Sequence, residues 1–152
     1  MLLQMKQTAK TRSSGKGLVA LHIATEKPKP SPAQVVRVVQ AGLDFGELES
    51  LRQQLDLPLD RLAGQLGLAR ATLHRRKASG RLTTDESDKV VRFARLLGHA
   101  VHLFGSIEEA RQWLKAPQRG LGGAVPLDYA QTEAGAREVE NLLGRIDYGV
   151  YS

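Results

Sequence analysis

The stretch from Thr83 to Phe104 constrains the fold more than any other part of the chain. Thr83 and Glu86 stand three residues apart. At that spacing a cap hydroxyl and a glutamate can each accept a hydrogen bond from the other's backbone N–H, which starts a helix. Behind them Val90, Phe93, Ala94, Leu97, Val101 and Phe104 fall at i, i+3, i+4, i+7, i+11 and i+14. That is one apolar stripe at helical period. So long a stripe is stable only against apolar faces supplied by other elements. Gly98 lies inside it and is expected to kink or split the helix.

The rest of the chain supplies such faces at the same period. Ser31 before Pro32 reads as a cap followed by a first-turn proline. Val35, Val36 and Val39 then share a face, and Gly42 is a natural stop. Phe45, Leu48, Leu51 and Leu55 follow at helical spacing. Pro58 opens a short helix carrying Leu59, Leu62, Ala63 and Leu66, which Gly67 breaks. Another short helix runs from about 69 to 77. Ser106 and Glu109 form a second capping-box pair ahead of Ile107, Ala110, Trp113 and Leu114, and Pro117 ends that helix. Pro126 enters one more short helix. Thr132 caps the last one, whose inner face is Ala136, Val139, Leu142, Leu143 and Ile146. No stretch alternates at period 2 for long, so the fold is expected to be all-α.

Composition excludes several classes of function. The chain has no cysteine, which rules out disulfides, thiolate zinc sites and a cysteine nucleophile. This fits a reducing compartment, and a cytoplasmic location is expected. No run approaches the ~18 apolar residues of a spanning helix. Aromatic residues make up 5% of the chain, too few for a base-stacking surface. No phosphate-binding glycine loop is present. His22, His74, His99 and His102 are scattered, and nothing supplies a third ligand beside His99 and His102. The acids of the last helix read as its solvated face. Neither an enzymatic activity nor a cofactor is expected.

Charge is distributed unevenly along the chain. Residues 1–30 carry Lys6, Lys10, Arg12, Lys16, Lys27 and Lys29 against Glu26, a net of +5. Their composition reads as a flexible basic segment. The short apolar run Leu18-Val19-Ala20-Leu21 with Ile23 fits a docking segment better than a signal peptide. Residues 69–81 are again +5, while residues 128–152 sum to −3. Two differently charged surfaces suggest two different partners.

The middle basic cluster falls on the second of two short helices with helix-turn-helix spacing, 58–66 and 69–77. In that motif the second helix enters the DNA major groove. Arg70, Thr72, His74, Arg75, Arg76 and Lys77 stand on it, Leu68 and Leu73 anchor it, and Arg81 follows Gly80 within reach of the flanking backbone. Arg70 and Thr72 are placed for base reading, and Arg75, Arg76 and Lys77 for phosphates. The alternatives are a solvated basic face, or a structural role for Arg75 and Arg76. The other end of the chain, Gly144-Arg145-Ile146-Asp147-Tyr148-Gly149-Val150-Tyr151-Ser152, is too rich chemically for an ordinary frayed tail. Either its tyrosines pack back on the bundle, or the end inserts into a pocket on another protein.

Several stretches together carry a family resemblance. They are Arg75-Arg76 with Gly80-Arg81-Leu82, Glu86-Ser87-Asp88, Phe104-Gly105, Trp113-Leu114, Leu121-Gly122-Gly123 with Pro126-Leu127, Thr132-Glu133-Ala134-Gly135-Ala136-Arg137, and the run from Gly144 to Val150. In this order and spacing, the chain from about 35 to 151 resembles the antitoxins of the Xre/MbcA/ParS group, partners of RES-domain toxins. The resemblance implies an Xre-like helix-turn-helix core, residues 31–105, that forms a homodimer and binds operator DNA of its own operon. It also implies a small helical C-terminal domain, residues 106–152, that neutralises an NAD-consuming toxin by covering its active-site cleft. Gly122, Gly123, Arg145, Tyr148, Gly149, Val150, Tyr151 and Ser152 are the expected toxin-binding residues. The competing expectation is a dimeric transcription regulator with no toxin partner. The resemblance does not extend to residues 1–30.

Overall fold

The computed structural model describes residues 30–149. Eight α-helices account for most of them: α1 (Pro32–Ala41), α2 (Phe45–Leu55), α3 (Leu59–Gln65), α4 (Arg70–Ser79), α5 (Thr84–Phe104), α6 (Ile107–Lys115), α7 (Pro126–Tyr129) and α8 (Glu133–Asp147). A short 3-10 turn, Arg119–Leu121, stands between α6 and α7. Among the described residues the extended pairing is limited to one isolated bridge, Asp44 to Arg81. The fold is all-α, as the periodicity predicts.

Local signals place the helix starts. Ser31 Oγ accepts the Gln34 N–H while Gln34 Oε1 accepts the Ser31 N–H, a full capping box. Thr83 and Glu86 form the second. Ser106 Oγ accepts from Glu109 N at 3.1 Å, which is the forward half of the expected box. Thr132 caps α8 through Gly135 N at 3.0 Å. Gly42 ends α1 at φ 88°. An added Cβ there would collide with the Leu82 carbonyl oxygen, so the position needs glycine on two counts.

Helix α5 is the spine. It packs against α1, α2, α6 and α8, and Val90, Phe93, Ala94, Leu96, Leu97 and Ala100 are fully buried on it. Contrary to expectation, α5 runs unbroken through Gly98. The penalty for an interior glycine is only about 1 kcal/mol, and buried side chains on both sides outweigh it. One core cluster runs from Leu43 to Leu143, so the helices before and after residue 105 share a single apolar interior.

Polar clamps reinforce this sharing. On α6, Arg111 Nε donates to the Gln54 carbonyl at 2.6 Å and Lys115 Nζ to the Asp56 carbonyl at 3.1 Å. Two cations thus meet the exposed carbonyls at the end of α2, where the helix dipole favours them. Gln65 Nε2 on α3 donates to Asp128 Oδ1 on α7 at 2.9 Å.

Candidate functional site

Helices α3 and α4 form the expected helix-turn-helix pair. Leu66 and Leu68 are buried in the turn between them. Helix α4 buries Leu73 alone, so most of its surface faces outward. Arg70, His74, Arg75 and Lys77 are exposed on it and Thr72 is half-buried. Arg70 lies 3.7 Å from the Asp60 carboxylate of α3, both side chains largely exposed. Arg75 Nη2 donates to Thr72 Oγ1 at 3.3 Å.

Two of the predicted residues are engaged by groups of the protein itself, Arg76 largely buried and Arg81 still exposed. Arg76 Nε donates to Glu86 Oε1 at 2.8 Å, with the side chains 25% and 11% exposed. Arg81 Nη1 donates to the Gly42 carbonyl at 2.8 Å, and its Nη2 lies 3.9 Å from Asp44. Burial raises the Glu86 carboxyl pKa, but hydrogen bonds from Arg76 and Thr83 and the Arg76 charge outweigh it, so the net shift is downward. The Glu86 hydrogen bond raises the Arg76 guanidinium in turn, against its desolvation.

A second surface lies at the end of α8. A shallow groove of about 550 Å³ is lined by Glu140, Asn141, Gly144, Arg145 and Tyr148. Tyr148 is 85% exposed and so does not pack back on the bundle. Arg145 Nε is buried without a hydrogen-bond partner among the described residues. Gly149 follows with φ 73°. Val150, Tyr151 and Ser152 lie outside the described residues. The segment at 1–30 does too, except for Pro30.

Gly122 and Gly123 are exposed on a separate loop, with φ 66° and 89°. They do not line the groove. Their loop rests on the middle of α8, where a Cβ on Gly120 would push against the Leu142 methyls. Sequence reasoning passed over Gln118, which shapes this loop. Its N–H donates to the Ala124 carbonyl at 3.0 Å, its own carbonyl accepts from Gly123 N at 2.9 Å, and its Nε2 donates to the Trp113 carbonyl at 2.9 Å.

The acids of α8 are not simply its solvated face. Arg92, buried on α5, holds Glu133 at 3.1 Å and Asp88 at 3.6 Å and donates to the Gln131 carbonyl at 3.3 Å. Arg95 lies 3.5 Å from Glu140. An arginine on the rim of an apolar stripe was the available signal, but the partners that tie it to α8 and the turn before it, Glu133 and Gln131, lie 41 and 39 residues away. The described residues contain no group of three or more side chains able to hold a metal. No described helix is long and apolar enough to cross a membrane.

Comparison with known proteins divides the chain along these two surfaces. The family model of the antitoxin Xre-like helix-turn-helix domain matches residues 34–95, which hold α3 and α4. The model of the antitoxin Xre/MbcA/ParS C-terminal toxin-binding domain matches residues 99–149, which hold the glycine loop and the groove. Antitoxin Xre of Photorhabdus laumondii is 39% identical over 80% of this chain and 75% of its own length. Antitoxin Xre of Yersinia enterocolitica is 33% identical over 78% and 81%. A protein of Sphingobium sp. named Prs ADP-ribosylating antitoxin is 25% identical over 82% and 84%. The chain belongs to the Xre/MbcA/ParS antitoxin family, with a helix-turn-helix domain followed by a toxin-binding C-terminal domain.

Proposed function

We propose that the chain is a cytoplasmic, non-enzymatic antitoxin that neutralises a RES-domain, NAD-consuming toxin by covering its active-site cleft with the C-terminal region. As a homodimer it also binds the promoter of its own operon. The helix-turn-helix and dimerisation core is assigned to residues 31–105 and the toxin-binding domain to 106–152. The basic segment 1–30 is left without a role.

The observation that carries this reading is the exposure of Tyr148 at the end of α8, beside Arg145 and an open groove. Tyrosine is a common anchor residue at interfaces. Residues 128–152 carry net negative charge, and a cleft built for an anionic dinucleotide must present cationic groups. Segment and cleft are therefore complementary in sign. The Sphingobium relative's name refers to ADP-ribosylation, a reaction for which NAD is the usual donor. On the other surface, the exposed cations of α4 suit the phosphates of duplex DNA.

Co-expression with the neighbouring gene product tests this reading, followed by co-purification and an NAD⁺ consumption assay. The full chain should suppress NAD⁺ loss. Removing residues 148–152 should abolish suppression while operator binding persists. Full protection by the truncated chain would overturn the cleft-covering reading. Failure of any neighbouring product to co-purify would favour a transcription regulator without a toxin partner.

A further inference from the structure

Helix α4 is fastened to the protein at very few points. Leu73 is its one buried residue, and a helix held at a single apolar point can roll about it. Arg76 stands three residues further on, on the same face of the helix, and supplies a second point through Glu86 at 2.8 Å. The same Glu86 oxygen accepts the Thr83 N–H at 2.9 Å, and Thr83 Oγ1 accepts the Glu86 N–H at 3.2 Å. One carboxylate oxygen therefore ties the last turn of α4 to the first turn of α5, the spine of the core.

The turn after α4 is clamped separately. Gly80 O accepts the Phe45 N–H and Leu43 O accepts the Leu82 N–H, both at 2.8 Å. Leu43 N donates to Ser87 Oγ, also at 2.8 Å. These bonds fix where α4 ends, but they lie beyond its last residue and leave its roll open. The roll decides whether Arg70, His74, Arg75 and Lys77 present themselves together.

This inference rests on the reading of α4 as the DNA-reading helix. We propose that Arg76 and Glu86 are a positioning pair for operator recognition, in which Arg76 sets the roll of α4 through Glu86 and makes no phosphate contact of its own. A guanidinium neutralised by an adjacent carboxylate displaces no counterions from DNA, so its loss leaves the salt dependence of binding alone. Turning it outward would strip Glu86 of its cation and weaken the start of α5.

Anisotropy titrations across a range of salt concentrations test this. They use the full chain with its own promoter duplex and with a scrambled duplex of equal length. Arg75→Ala serves as the phosphate-contact control, and its salt slope should become shallower by about 1. Glu86→Gln is the deciding variant. Glutamine preserves the capping box and removes a negative charge, so on charge alone DNA binding should tighten. The positioning role instead has it weaken promoter binding about tenfold, a size usual for coupled networks. Scrambled-duplex affinity should hold or rise, and the salt slope should stay unchanged. Arg76→Gln should match it, and the double variant should lose no more than either single one.

Promoter binding that is unchanged or tighter in Glu86→Gln overturns the proposal. So does a salt slope in Arg76→Gln that falls as it does in Arg75→Ala. A wild-type chain that binds both duplexes equally overturns the DNA reading itself, and the pair with it.

Discussion

Gly135, in the first turn of α8, is the described glycine at which an added Cβ would meet the closest obstacle. Its backbone lies so close to the Tyr129 carbonyl that any Cβ would collide with it, and Thr132 Oγ1 crowds the same point. The obstacle is backbone, so no rotamer change relieves it. Gly135→Ala should cost about 1–3 kcal/mol through forced displacement and lower the melting temperature by several degrees. Gly144→Ala, on the same helix with open space around it, should be neutral or slightly stabilising by helix propensity. Equal melting of the two variants in a thermal scan would remove the packing argument.

At the scale of elements, the joint between α4 and α5 carries a pH signature. The folded Glu86 carboxyl sits below its ordinary pKa, so the unfolded chain takes up its proton first as pH falls. The stability gained is complete above the ordinary glutamate value of about 4.3 and is lost as pH drops through the lower folded value. Melting temperature measured against pH should therefore fall through this window in the wild type, and less steeply in Glu86→Gln. Parallel curves would show that Glu86 contributes no such linkage. Thr83→Ala removes the other half of the box and should cost about 1 kcal/mol near neutral pH.

For the whole molecule, the helix-turn-helix half and the toxin-binding half are not thermally independent. Leu121, Leu127, Val139 and Leu143 belong to the same buried cluster as Leu48, Leu62 and Phe93. Arg92 with Glu133, Arg111 with the Gln54 carbonyl, and Gln65 with Asp128 bridge the two halves again with polar contacts. Calorimetry should record one unfolding transition, with calorimetric and van't Hoff enthalpies in agreement. Two resolved transitions would mean that the shared core does not couple the halves.

The elements and one face of each were legible in the sequence because caps, prolines and the 3.6 period act within a few residues. Ser31 with Gln34, Thr83 with Glu86, and the stripe from Val90 to Phe104 needed nothing distant to be read. The break expected at Gly98 does not occur, because local propensity lost to packing that a single helix does not reveal. For the sites, the sequence by itself puts the cations on α4 and a tyrosine at the end of α8. Only the tertiary structure decided which of them face outward. Arg76 turns inward because Glu86 waits there, Arg81 stays exposed while bonded to the Gly42 carbonyl, and Glu133 and Glu140 are engaged because Arg92 and Arg95 lie across from them. Charge type is written residue by residue, whereas the partner of a charge depends on where distant turns bring the chain back.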